Sequence, residues 1–310
     1  MASVDLIYEN VSILRHMKAA VVSPSAPSTF SEERRSQYER GLTNMSVWGL
    51  DYVVMPHAAN ALSYVSDTAD NRLDDFMAAY RDKTVDVVMT TNGGWNAGDI
   101  LAGIDWETVK NNPKTLVGFS DITALLNAAY AKTGQVQIQG PMVTWGFNEN
   151  DRLTIECFMK ALRDKHYDLP LEKFGKFLRG SNLEGIGIGG NLVTLESLFG
   201  TPYMPDFEGK ILFWEETEEK LPALMRILAH YKNVGAWDKI KGVIIGRLDQ
   251  IDCRFAGQEF DPLTTILEYL EPYGFPIMKT ELFGHEIDQY LPLPVGGKIK
   301  ADEEKIQFTF

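Results

Sequence analysis

From Lys18 onward the chain alternates short apolar runs with stretches whose apolar residues recur every three or four positions. Lys18 to Val22 (KAAVV) is such a run, stopped by the turn-rich loop Ser23-Pro24-Ser25-Ala26-Pro27. After Ser31, Tyr38, Leu42 and Met45 recur at helical spacing, and Asp70 to Tyr80 places Leu73, Phe76, Met77 and Tyr80 on one helix face. Tyr52 to Met55, Val85 to Thr90, Thr115 to Phe119 and Val136 to Gln139 read as buried strands, and Asp121 to Lys132 as a helix ended by Gly134. Apolar strands separated by helices predict a parallel sheet with helices on both faces, an α/β architecture. Such sheets bind ligands beyond the carboxyl ends of their strands.

The grammar changes in the middle of the chain. Asn148 to Asn182 is polar and charged, with one helix-like stretch from Leu153 to Leu162. Beyond it, a Gly185 to Gly190 run leads into Asn191 to Phe199. Lys210 to Trp214 and Gly242 to Ile245 read as strands around a helix at Leu221 to Tyr231. A helix at Thr264 to Leu270 and short strands at Gly297 to Ile299 and Ile306 to Thr309 complete an α+β pattern. The expected organisation is an α/β domain over residues 1–150, a linker over 151–182 and a C-terminal domain over 183–310.

Of 310 residues, 45% are hydrophobic and 24% charged, the profile of an ordinary globular protein. Thirty basic against 43 acidic residues give a net charge of −13, which repels phosphate backbones and anionic lipid. Neither a nucleic-acid partner nor membrane association is therefore expected. Cys157 and Cys253 stand far apart, which excludes a disulfide scaffold and a cysteine zinc site. With no visible secretory signal and no apolar run near the ~20 residues of a membrane span, the expected location is cytoplasmic.

The most informative segment is Thr115-Leu-Val-Gly-Phe-Ser-Asp-Ile-Thr-Ala124, a strand running through Gly118-Phe119-Ser120-Asp121 directly into a helix. A nucleophile elbow has this form, with the serine at the sharp turn and Gly118 leaving room for it. Ile122 replaces the usual second glycine, and an alternative reading makes Ser120 a helix N-cap. Asn92-Gly93-Gly94 follows the preceding strand and reads either as a plain turn or as half of an oxyanion hole completed by the N–H of Asp121. Gly185, Gly187 and Gly190 satisfy G-x-G-x-x-G, but the segment before them is a poor strand, so a glycine-rich crossing between domains fits better than a nicotinamide loop. Glu215 and Glu216 end an apolar strand, as surface acids or as cleft residues. His285 sits in the loop Phe283-Gly284-His285-Glu286, unlike the four other histidines. No H-E-x-x-H or paired-histidine spacing points to a metal.

In this order the segments resemble the LD-carboxypeptidase family of serine peptidases, which includes the microcin C self-immunity peptidases. The landmarks are Ser23-Pro24-Ser25, Asn92-Gly93-Gly94, Gly118 to Ala124, Ile188-Gly-Gly-Asn-Leu192, Ile211 to Glu216, Gly284-His285 and Leu291 to Gly296. The resemblance implies a flavodoxin-like N-terminal domain, a smaller β-rich C-terminal one and an active site in the cleft between them. It implies Ser120 as nucleophile, His285 as base and Glu215 as triad acid. It further implies no metal or organic cofactor, and a homodimer. Two substrate classes stay open, both small molecules: a murein-derived peptide losing a terminal D-amino acid, and a peptidyl- or aminoacyl-nucleotide amide. Murein-recycling members carry an Arg where this chain has Asn92, and Asn96, taken as a substrate-binding residue, looks like the immunity branch. The short Gly146–Gly185 segment and the His285 loop look like the murein branch, and the murein reading is preferred.

Overall fold

The computed structural model describes residues 17–147, 151–255, 257–287 and 289–310. Strands β1 (Lys18–Val22), β2 (Asp51–Val54), β3 (Val87–Thr90), β4 (Thr115–Gly118) and β5 (Gln137–Gln139) form a parallel array in the order β2-β1-β3-β4-β5. That is the flavodoxin-like order, with its switch point between β1 and β3. Helices α1 (Glu32–Val47), α2 (Ala69–Arg81), α3 (Trp106–Asn111) and α4 (Thr123–Thr133) lie in the crossovers and cover both faces. Their ends follow local chemistry. Ser31 caps α1 by accepting from Arg34 N at 3.2 Å, with Glu32 and Glu33 in the first turn, where the helix dipole favours acids. α4 stops at Gly134, whose φ of 73° is left-handed. Ala19, Ala20 and Val21 of β1 are fully buried, which is why the strand reads as a continuous apolar run.

The chain continues through α5 (Arg152–Arg163), β6 (His166–Pro170), α6 (Leu171–Phe174), β7 (Gly175–Arg179), β8 (Leu183–Asn191) and α7 (Leu192–Glu196). Then come β9 (Lys210–Thr217), α8 (Leu221–Asn233), α9 (Ala236–Lys239), β10 (Gly242–Asp249), the ribbon of β11 (Arg254–Phe255) and β12 (Gln258–Glu259), and α10 (Pro262–Tyr269). β13 (Ile277–Thr280), β14 (Leu293–Val295), β15 (Lys298–Ala301) and β16 (Lys305–Thr309) close the chain. The second sheet runs β6-β16-β15-β8-β9-β10-β13-β7. Its centre, β8-β9-β10-β13, is parallel, and its flanks are antiparallel.

Residues 151–182 therefore carry more than the linker expected from their polarity. They supply α5 and both edge strands of the second sheet, β6 and β7. Edge strands face water on one side, and Tyr167 is the one fully buried position in β6. β14, in turn, leaves the C-terminal region to pair antiparallel with β5, Leu293 opposite Gln139, so it closes the edge of the first sheet. Pro294 fits there because β14 is itself an edge. β8 also locks onto α4, where Asn127 exchanges hydrogen bonds with Gly189 and Thr123 Oγ1 accepts from Asn191 N at 3.0 Å. Among the described residues, no helix is long and apolar enough to cross a membrane.

Candidate active site

Three chain segments meet at the carboxyl end of the first sheet. β4 delivers Ser120, β9 delivers Glu215, and the crossover from β13 to β14 delivers His285. Ser120 has φ 60°, a left-handed conformation rarely taken by a residue with a side chain, and a short 3₁₀ turn at Ser120–Ile122 then feeds α4. Gly118 permits the turn, because a Cβ there would lie 2.4 Å from Thr90 Oγ1 and 2.8 Å from Ile122 Cγ2. The hydroxyl does not cap the helix. Phe119 and Ile122 hold the cap positions without side-chain bonds, and Ser120 Oγ lies 2.9 Å from His285 Nε2 instead.

His285 Nδ1 in turn lies 2.7 Å from Glu215 Oε2. Glu215 is 1% exposed, and its second oxygen has no hydrogen-bond partner among the described residues. The imidazole is held from behind as well. The N–H groups of His285 and Glu286 donate to Asp249 Oδ2 at 3.1 and 3.0 Å, and Arg247 pairs with the same carboxylate. At Gly284, φ 154°, a Cβ would meet Arg247 Cβ at 2.5 Å, so the chain needs glycine there. Phe119 meets the His285 ring edge-on at 5.5 Å.

Burial works to lower the His285 pKa, but the charge and hydrogen bond of Glu215, followed by Glu216 and Asp249, outweigh it and raise the value. Glu216 is also buried but is used differently, accepting from Asn191 Nδ2, Val193 N and Thr217 N. Burial, with the charge of Glu215 beside it, pushes its pKa up to about 7.

Gly93 lies against the serine. A Cβ on it would sit 2.9 Å from Ser120 Cβ, 3.0 Å from Ser120 Oγ and 3.5 Å from Asp121 N. Gly94, φ 143°, lies over Ser25 and Ala26. The N–H groups of Gly93, Gly94 and Asp121 find no acceptor among the described residues, so the donors around Ser120 are unspent. Asn96 bonds Asp99 through Nδ2 at 3.3 Å, while its buried Oδ1 has no partner among the described residues.

What holds these loops has no local signature in the chain. The Asp121 carboxylate, buried behind the serine, accepts from Ser25 Oγ and from Ala97 N at 2.7 Å. Burial raises its pKa against those hydrogen bonds. Arg72 joins the same loops, donating to Pro24 O at 2.7 Å and Asn96 O at 2.8 Å. The remaining sequence candidates lie elsewhere. The Gly185–Gly190 run is part of β8, paired with β9, not a phosphate loop. His57 pairs with Asp75 and His230 with Glu196. A hydroxyl on an imidazole whose other nitrogen meets a buried carboxylate is the arrangement that activates a nucleophile, and free N–H groups beside it suit a developing oxyanion.

Comparison with known proteins identifies the family. Family models match two stretches, an LD-carboxypeptidase N-terminal domain over residues 19–140 and an LD-carboxypeptidase C-terminal domain over 184–301. The chain is 30% identical to the microcin C7 self-immunity protein MccF of Escherichia coli, over 90% of this chain and 89% of that one. It is 28% identical to a probable murein peptide carboxypeptidase of Bacillus subtilis, over 95% and 91%. A solved structure of MccF in complex with glutamyl sulfamoyl guanosine matches with TM-score 0.85 at 26% identity, covering 95% of this chain and 96% of that one. The chain belongs to the LD-carboxypeptidase family and is a peptidase, a hydrolase of two domains.

Proposed function

We propose that the protein is a serine carboxypeptidase that hydrolyses the amide bond to a terminal D-amino acid in murein-derived peptides. The observation that carries the reading is the unbroken chain Ser120 Oγ–His285 Nε2–His285 Nδ1–Glu215 Oε2, at 2.9 and 2.7 Å. His285 takes the hydroxyl proton as Ser120 Oγ attacks the scissile carbonyl carbon. Glu215 orients the ring and stabilises the imidazolium. The tetrahedral oxyanion sits against the N–H groups of Gly93, Gly94 and Asp121, of which a single donor contributes ~3 kcal/mol. As the C–N bond breaks, His285 protonates the leaving amine, and water then attacks the acyl-serine with His285 again as base. The match to a probable murein peptide carboxypeptidase over nearly the whole chain supports this substrate class.

A second reading, cleavage of a peptidyl- or aminoacyl-nucleotide amide, rests on the likeness to MccF holding glutamyl sulfamoyl guanosine and on Trp95. That indole, beside Gly94, is 76% exposed and open to stack on a base. Murein tetrapeptide and an aminoacyl sulfamoyl adenosine offered in parallel, with mass spectrometry of the products, decide between them. Release of the terminal D-amino acid from the tetrapeptide supports the first reading. Cleavage of the sulfamoyl adenosine alone overturns it.

A further inference from the structure

Arg34 packs against Trp145, whose indole reaches the glycine loop of this site through Asn92. It lies in the first turn of α1, half-buried, with its Cζ 4.5 Å from the centroid of the Trp145 ring. The indole covers one face of the guanidinium, whose donors project from its edge. The Arg34 guanidinium donates to Gln37 Oε1 at 3.3 Å, and the ion pairs among the described residues do not include it. Burial of this charge lowers its pKa, with Glu33 and Tyr290 acting against that shift. A partly desolvated guanidinium without an acid partner is costly, and a bound anion would offset the cost.

Two short routes connect Arg34 to the reacting atoms. Trp145 Nε1 donates to Asn92 Oδ1 at 2.9 Å, and Asn92 precedes Gly93, which abuts Ser120 Oγ. On the other side Tyr290, an electrostatic neighbour of Arg34, packs on Phe119 at 5.0 Å and donates to His285 O at 3.4 Å. The cation is therefore linked, through Trp145 and Asn92, to the glycine that abuts the nucleophile.

We propose that Arg34, stacked on Trp145, binds the free terminal carboxylate of the peptide substrate and so makes the enzyme select chain ends. The proposal rests on the carboxypeptidase reading above. In such a substrate the carboxylate lies one residue beyond the scissile amide, so the group that binds it must stand close to the catalytic residues. The planar fork of arginine matches a carboxylate through two parallel hydrogen bonds, which lysine cannot reproduce. Among the described residues no acid need be displaced first, so the selectivity is built into the resting site.

Two measurements test this together. The first compares kcat and KM for murein tetrapeptide and for the same peptide amidated at its C-terminus, in wild type, Arg34→Lys and Arg34→Leu. The second measures calorimetric binding of both peptides to Ser120→Ala and to the Ser120→Ala/Arg34→Leu double variant, which needs no turnover. Wild type should prefer the acid by about ten- to a hundredfold in kcat/KM, mostly through KM, as for a hydrogen-bonded charge pair. Arg34→Leu should abolish that preference, Arg34→Lys should retain part of it, and the amide should be cleaved at similar rates by all three. A merely structural role would lower both peptides alike and leave the ratio intact. Turnover with no acid preference, or a preference that survives Arg34→Leu, overturns the proposal. Absent turnover with an Arg34-dependent binding preference overturns the proposed reaction and upholds the carboxylate site, whereas no binding of either peptide overturns both.

Discussion

Replacing Gly93 with alanine tests whether the glycine loop shapes the nucleophile. The backbone at Gly93 tolerates a side chain, since its φ lies outside the left-handed region, so the only obstacle is space. The added methyl would lie 2.9 Å from Ser120 Cβ and 3.0 Å from Ser120 Oγ, where ordinary contacts begin at 3.4 Å. Ser120 cannot rotate away freely, because its φ of 60° is fixed by the turn. The two segments must separate by about 0.5 to 1 Å, enough to stretch the 2.9 Å bond to His285 toward the limit of a hydrogen bond. A misplacement of about 1 Å lowers rates ~100-fold. Overpacking should also destabilise the fold by ~1 to 3 kcal/mol. The assay is kcat/KM for release of the terminal amino acid, with thermal melting monitored in parallel. Gly98→Ala is the control, since nothing lies within 4 Å of a Cβ there. A folded Gly93→Ala enzyme within threefold of wild type would show that this loop does not touch the serine, and the oxyanion assignment would fall with it.

Other outcomes follow from the electrostatics. The base must be neutral to act, and Glu215 raises its pKa, so the acid limb of the kcat/KM profile should lie above 6.5. Glu215→Gln should move that limb to lower pH and reduce the plateau, on the order of 10⁴-fold for loss of a triad acid; an unmoved limb contradicts the pairing. Glu216 has a folded pKa of about 7 against 4.5, so it binds protons more tightly folded, and stability should fall as pH rises between those values. The fall amounts to about 3 kcal/mol and should vanish in Glu216→Gln, as read from urea midpoints between pH 5 and 8; an equal slope in the variant would rule Glu216 out as its source.

Much of this architecture was legible in the sequence because burial leaves a mark on composition. β1, β3 and β4 are buried on both faces and read as apolar runs, and the abrupt passage from Gly118 through Ser120 into a helix marked the elbow. What stayed hidden had little local signal. β6 and β7 are partly exposed edge strands and looked like linker. β14 is three residues long with a proline at its centre, and only its partner β5 makes it a strand. The Asp121 carboxylate looked like part of a turn, since Ser25 and Ala97, which give it a role, are 96 and 24 residues away. Arg34 has no local signal either, since its stacking on Trp145 joins α1 to a loop after β5.

The central claim, that Ser120, His285 and Glu215 work as one unit, is tested most directly by turnover of the three single alanine variants and the Ser120→Ala/His285→Ala double variant. Groups that share one proton-transfer step lose their effect together, so the double variant should be no slower than the slower single, with every fold intact by circular dichroism. Retained hydrolysis in purified Ser120→Ala, or losses that multiply in the double variant, would contradict the account.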